Sequence, residues 1–296
     1  MRARIKRRQR IRRLTILVVI AVIAVSLIVA FYIVLNSQSP YVPDVGKPVA
    51  QSVMGELTGV SDSTLASIGA PTGVQPPRVV SGTPLSSGGK PEILYIGGDY
   101  CPYCAIERWS LIVALSRFGQ FSNLTYMLSS SSDVNPNTPT FSFRGATFTS
   151  KYITFVGVEE FGSDPNTVVQ ALTTEQQALV SQYDTCAATG NTGSIPFVDF
   201  ANSYALNCGA QSSLDLSGQN WTQIASQLNT PTSSTAELID GAANTIITVI
   251  CNVDGHLPSA VCTQSYATLT LSYTPSMTTG SATLFLARPA MRLVFE

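Results

Sequence analysis

Between Leu14 and Leu35 the chain runs 22 residues with almost no polar side chain, broken by Thr15 and Ser26. Nothing else restricts the local fold so strongly. At about 1.5 Å per residue this run reaches about 33 Å as a helix, close to the hydrocarbon thickness of a bilayer. In lipid every backbone polar group must pair within its own segment, so residues 14–35 are expected as one transmembrane helix. Just before it, residues 1–13 hold eight of the 17 Lys and Arg and no acid. A basic flank of this kind stays in the cytoplasm, which sends the C-terminal part outward and places the chain in the cell membrane as a single-pass protein. A cleaved signal peptide is the main alternative, but its apolar core is shorter, and Asn36-Ser37-Gln38-Ser39-Pro40 offers no Ala-x-Ala cleavage site. A buried core helix would not open with eight bases. Membrane lipid is therefore the first expected partner, and the basic tail can also touch anionic headgroups.

Residues 36–296 then carry nine bases against 18 acids, a charge of −9. A nucleic-acid function needs a basic face on the folded part, so no nucleic-acid partner is expected. One histidine in 296 residues speaks against a His-rich metal site and against a Ser-His-Asp triad.

Residues 36–90 are rich in Ser, Pro, Gly, Val and Thr, with Pro40, Pro43, Pro48, Pro71, Pro76, Pro77 and Pro84 as punctuation. They read as a stalk or linker with one short helix near Asp62–Ile68, capped by Ser61 or Asp62. The alternative is that part of this stretch packs on the domain as an extension. A folded domain is expected over 91–262. Glu92–Gly97 suits a buried strand, and Ala105–Phe118 has helical spacing. Strands follow at Leu124–Leu128, Thr140–Phe143 and Tyr152–Val158, the last two joined through Arg144-Gly145. Thr173–Tyr183 reads as a helix with Thr173 or Thr174 as cap. Ile195–Phe200 and Tyr204–Cys208 form a hairpin around Ala201-Asn202-Ser203, and Trp221–Leu228 and Thr235–Cys251 are helices. Strands alternating with helices give an α/β fold class. The segment 263–296 has no clear period and no assigned role.

The chemistry concentrates in Cys101-Pro102-Tyr103-Cys104, between the first strand and its helix. Pro102 suits the opening of a helix, where its missing N–H is not needed. With Cys101 at the N-cap, unpaired amides and the helix dipole face its sulfur and favour the thiolate, which is the nucleophile of disulfide exchange. Cys101 is then the attacking residue and Cys104 the resolving one. A structural zinc site would want four ligands, and no second C-x-x-C exists, so no metal is assigned. A soft-metal site on two thiolates and a purely structural bridge remain as alternatives. Asp99, two residues before Cys101, would oppose a thiolate if it lies close. Glu107 could help move a proton, although a solvated or Arg-paired carboxylate is the plainer reading. Arg108 and Arg117 read as surface residues with apolar stems, and His256 as a loop residue. Farther on, Ser194-Ile195-Pro196-Phe197 puts a proline where an apolar strand begins, a position that needs no N–H.

These residues together resemble the thioredoxin-like superfamily: a strand, C-P-Y-C at a helix start, and a later Ile-Pro opening a hairpin. The tetrad is similar to that of glutaredoxins, and the placement outside the cytoplasm resembles the thiol-disulfide oxidoreductases of the bacterial envelope. Cys101–Phe118 and Thr138–Glu160 further resemble an uncharacterised, membrane-anchored prokaryotic family known only as a domain of unknown function. The resemblance covers about residues 90–262. It implies a three-layer thioredoxin-like fold, with an insertion around Ser129–Phe161 and an extra C-terminal helix after Trp221–Leu228. It also implies a cis Pro196, with Ile195 beside Cys101 offering backbone to a substrate, and Pro102 and Tyr103 lining the site. Cys101, partly reachable by solvent, would exchange disulfides with protein thiols outside the cytoplasm. A membrane redox partner could complete the electron path. No dissociable cofactor is implied, because the cysteine pair carries the electrons, and no glutathione-binding features accompany the tetrad.

Four cysteines remain, and in an oxidising compartment they are expected as structural disulfides. Three pairings are open to them. Cys251 and Cys262 bracket a turn-like loop and Cys186 and Cys208 flank the Pro196 hairpin, which favours Cys186–Cys208 and Cys251–Cys262. Each loop would stabilise by about 3 kcal/mol on the chain-entropy account. A sharper alternative is a relay in which one of these pairs trades electrons with Cys101–Cys104. Against the enzyme reading stands a non-enzymatic binding module on the same scaffold, with a stable Cys101–Cys104 bridge, or a soft-metal chaperone.

Overall fold

A computed structural model describes residues 13, 15–29, 44–70, 73–186, 190–210 and 214–272. The chain divides into two compact units, residues 1–40 and 41–296. In the first, the described segment is the apolar helix α1 (Thr15–Val29), whose side chains are exposed. Residues 1–12 of the basic tail, residues 30–43 and residues 273–296 of the C-terminal segment lie outside the described residues.

The second unit is a mixed α/β domain. Its elements are α2 (Gln51–Thr58), α3 (Asp62–Ile68), β1 (Arg78–Val79), β2 (Ser86–Ser87), β3 (Lys90–Gly98), α4 (Pro102–Leu115), β4 (Gly119–Ser122), β5 (Thr125–Leu128), β6 (Pro139–Ser142), β7 (Thr147–Ser150), β8 (Thr154–Phe161), α5 (Thr174–Tyr183), β9 (Phe197–Phe200), β10 (Tyr204–Asn207), α6 (Trp221–Gln227), α7 (Ser234–Val253) and α8 (Ser259–Cys262). A 3-10 turn at Ser265–Ala267 follows. The central sheet is ordered β1-β10-β9-β3, with β8 pairing the free side of β3 and the two-residue β2 pairing its start. β3 and β8 run parallel, while β9 runs antiparallel to β3 and β10 to β9.

Side chains alternate across a strand, and both faces of this sheet are covered. Ile93, Tyr95, Val198, Phe200 and Leu206 cluster with α4 and α7. Leu94, Ile96, Phe197 and Ala205 cluster instead with Val180 and Tyr183 of α5. A sheet buried on both faces explains why β3 reads as a continuous apolar run rather than an alternating one.

Several expectations need correction. Thr154–Phe161 is β8, a strand of the central sheet, so Ser129–Phe161 does not stand apart from that sheet as a whole. Residues 119–150 build two antiparallel ribbons, β4 with β7 and β5 with β6. Arg144-Gly145 is the turn into β7, a strand whose composition does not set it apart from its surroundings. The helix expected after Trp221–Leu228 is Ser234–Val253; 15 of its 20 residues are buried, and it packs along α4. By length and composition it is, among the described residues, the helix that could cross a membrane. Its burial inside the domain accounts for that composition equally well.

The stalk reading also changes. Ser61 caps α3 through its hydroxyl, but Val53, Leu57, Val60 and Leu65 are at most 2% exposed and belong to the main core. Asn244 of α7 donates from Nδ2 to the carbonyls of Leu65 at 2.9 Å and Gly69 at 2.8 Å. Residues 51–68 are thus two short helices packed on the domain, α2 against α4 and α6 and α3 against α7. Disulfides Cys186–Cys208 and Cys251–Cys262 close loops at 5.8 and 5.5 Å between Cα atoms.

Leu57 is fully buried, so Leu57→Ala leaves a cavity where a stalk residue would leave nothing. It should lower unfolding stability by about 2–5 kcal/mol in urea titration. A loss below about 0.5 kcal/mol, ordinary for an exposed site, would return this segment to the stalk.

Candidate functional site

The site begins where β3 ends. Asp99 N–H donates to the Phe161 carbonyl at 2.8 Å and Tyr100 N–H to that of Gly162 at 3.0 Å, so the loop out of β3 is laced to the end of β8. Cys101 then takes the N-cap of α4, with φ −77° and ψ 122°, and Pro102 occupies the first turn. The Cys104 amide donates to Cys101 Sγ at 3.2 Å, the bond an N-cap side chain accepts. The Cys101 thiol in turn points at the Ile195 carbonyl, 3.8 Å away. The Ile195–Pro196 peptide is cis. Cys101, Cys104, Pro102, Tyr103, Ile195 and Pro196 are thereby brought together.

Both cysteines are free thiols and both are covered: Cys101 is 4% exposed and Cys104 fully buried. The expected partly reachable sulfur is therefore corrected to a nearly enclosed one. Tyr100, Tyr103, Phe161 and Ile195 share its apolar cluster and provide the cover. Ser130 of the loop after β5 adds a bond from its N–H to the Tyr100 carbonyl at 2.8 Å. Burial, followed by the hydrogen bond to Cys101, pushes the Cys104 thiol well above its ordinary value, and the Arg108 charge pulls it back. Burial likewise raises the phenols of Tyr95, Tyr100 and Tyr103, keeping them neutral.

The polar residues of α4 are where the sequence misleads. Arg108 is not on the surface: it is fully buried and grips Glu159 of β8 by two bonds, Nε to Oε1 at 2.8 Å and Nη2 to Oε2 at 2.6 Å. Arg117 is mostly covered as well, paired with Asp62 at 3.3 Å. Glu107 is neither solvated nor Arg-paired. It is fully buried, accepts one bond from Ala210 N–H at 2.8 Å, and burial raises its acid to about 7. Gly209 brings the chain after β10 against Pro196, Tyr103 and Glu107, where an added Cβ would lie 3.6–3.8 Å from all three. Asp99 is buried 3.8 Å from Arg144, and its charge bears on Glu159, whose acid it helps to raise. Glu159 is a site residue that no motif in the sequence marks. The usable signal for Glu107 and Arg108 lies in spacing, since both stand one helical turn after Cys104. Among the described residues no three His, Cys, Asp or Glu side chains converge as a metal-binding group, and His256 sits in the loop between Cys251 and Cys262.

Fold and site define a mixed α/β domain with a covered dithiol at the start of its most enclosed helix. Residues 77–252, more than half the chain, match the family described as a domain of unknown function (DUF929), and the chain belongs to that family. No curated protein and no solved structure matches it.

Glu107 gives a test of this geometry. Its acid is raised from 4.5 to about 7, so the folded state holds a proton that the unfolded chain releases. The stability this provides is complete below about pH 4.5 and fades as pH rises to 7, a total of about 3 kcal/mol. Glu107→Gln should flatten that slope in urea unfolding between pH 5 and 8. Equal slopes in both proteins would place the carboxylate in water.

Proposed function

We propose that this protein is a membrane-anchored thiol-disulfide oxidoreductase of the thioredoxin-like kind, acting on cysteines of proteins outside the cytoplasm. The succession β3-α4-β8-α5-β9-β10-α7, in the sheet order β10-β9-β3-β8, is the arrangement such a fold would use. The observation that carries the reading is local. Cys101 Sγ sits at a helix N-cap, takes the Cys104 amide at 3.2 Å, and lies 3.8 Å from the backbone oxygen of Ile195. An N-cap sulfur meets unpaired amides and the positive end of the helix dipole.

In the reductive direction the Cys101 thiolate attacks a substrate disulfide. The S–S bond breaks, one substrate sulfur leaves as a thiolate and takes a proton, and Cys101 is held to the other. Cys104, deprotonated, then attacks Cys101. The second substrate thiolate leaves and takes a proton, and two electrons have passed from the pair to the substrate. Run backwards, the same steps donate a disulfide. An extended substrate segment would pair with the Ile195 backbone, with Pro102, Tyr103 and Pro196 as walls. The apolar run 14–35 would hold the domain at the outer membrane face, close to a membrane redox partner that resets the pair.

One observation favours a second reading. A sulfur pair 4% and 0% exposed also suits a non-enzymatic module with a permanent Cys101–Cys104 bridge. The two separate by potential, since a structural bridge lies below roughly −300 mV whereas an exchange catalyst is more easily reduced. Trapping tests the mechanism directly. Cys104→Ala should accumulate protein mixed disulfides through Cys101 on non-reducing gels, and the double variant with Cys101→Ala should not. An empty trap together with a potential below that limit removes the exchange reading.

A further inference from the structure

The charge pair beneath the sulfurs has no part in the exchange steps themselves. Arg108 lies four residues after Cys104 on α4, so the two share a face, and both are fully buried. Its guanidinium is fixed three ways: by both oxygens of Glu159, by a bond from Nη2 to the Gly98 carbonyl at 2.7 Å, and by its position 5.8 Å over the Tyr95 ring. Nη1 has no hydrogen-bond partner among the described residues. The same Gly98 carbonyl accepts from the Cys101 amide at 3.2 Å, so one residue ties the cation to the turn that carries the sulfur pair. Taking two charges out of water costs several kcal/mol per ion, and apolar replacements are often no worse, so stability gives no reason to put the pair there.

We propose that Arg108 is a positioning residue for Cys104: held by Glu159 and Gly98, it stabilises the Cys104 thiolate that must form when the mixed disulfide on Cys101 is resolved, and Glu159 sets how much of that field the sulfur receives. This rests on the exchange reading above. The groups around Cys104 act with distinct signs. On α4, Cys101 opposes a second negative sulfur, while Arg108 favours it. Glu107, one turn on, is turned to Ala210. From β3 and the loop after it, Tyr95 stays neutral and Asp99 is opposite Arg144. From β8, Glu159 partly cancels Arg108, and its own oxygen is held by the Phe143 amide at 3.2 Å. Arg108 is thus, among the described residues, the charged group that favours a Cys104 thiolate.

The two halves of the pair must act in opposite directions, and a merely structural pair would not do so. In full-length protein carrying Cys101→Ser, Cys104 is left as the one titrating thiol of the site, followed by thiolate ultraviolet absorbance against pH. Arg108→Met should move the midpoint up by about one unit or more, a roughly 10-fold loss of thiolate at a given pH. Arg108→Lys should restore part of it, and Glu159→Gln should move it down. If Arg108→Met fails to fold by circular dichroism, Arg108→Lys and Glu159→Gln still carry the comparison. Unchanged midpoints, or shifts in one common direction, overturn the proposal. The titration uses no substrate, so an empty Cys104→Ala trap would defeat exchange while leaving this result intact, and opposite shifts could not rescue exchange.

Discussion

All 14 residues of α4 are buried, and most of the domain's architecture follows from enclosing that helix. The central sheet covers one side and α7 another, while the ribbon of β5 and β6 closes a third through Thr140, whose hydroxyl donates to the Ala105 carbonyl at 2.7 Å. An enclosed helix cannot leave polar side chains to water, so each must find a partner inside. Trp109 donates to the Pro139 carbonyl at 2.8 Å, Arg108 grips Glu159, and Glu107 takes the Ala210 amide. These bonds tie the ribbon of β5 and β6, β8 and the chain after β10 to one helix. The cysteine pair stands at the end of α4 where backbone amides still seek acceptors.

Burial on this scale also changes the charge the domain presents. Its formal charge treats every carboxylate as ionised, yet desolvation raises Glu107 to about 7 and Asp240 on α7 to about 8. Near neutral pH the first is about half protonated and the second mostly so, and the folded surface is less acidic than the sequence count of −9 suggests. Asp240 has no hydrogen-bond partner among the described residues, and the nearby Arg117 charge pulls its acid back only in part. The neutral form lowers the cost of leaving such a group inside.

What the sequence reveals depends on whether a residue's local pattern and its tertiary setting agree. Ile93–Ile96 is an unbroken run of large apolar and aromatic residues and is a doubly covered stretch of strand. Pro102 behind Cys101 marks a helix start, and Ser61 and Thr173 are caps whose side chains bond the backbone three residues on. In each case the signal is local chemistry. The helix Gln51–Thr58 is hidden because Gly55 and the surrounding Ser and Pro residues give it no helical preference. Its order comes from Val53 and Leu57 reaching a core built mostly from residues far along the chain. Arg108 is hidden for a related reason: a charge is assigned to solvent unless its counter-charge is known. Glu159 lies 51 residues away on a strand whose pairing with β3 no short-range pattern encodes.

The two sulfurs, alike in sequence, are made unlike by these surroundings. Cys101 retains a trace of exposure and points along its thiol to a backbone carbonyl at the start of a strand, where an incoming polypeptide could replace the contact with its own. Cys104 has none, and lies one helical turn from the buried Arg108. Burial alone would hold a thiol there protonated and inert. A fixed cation one helical turn away offsets part of that penalty without admitting water, whereas a solvent channel would expose the mixed disulfide to competing thiols. In the exchange reading this divides the work: the outer sulfur meets the substrate, and the inner one stays silent until a bond to its neighbour gives it something to attack.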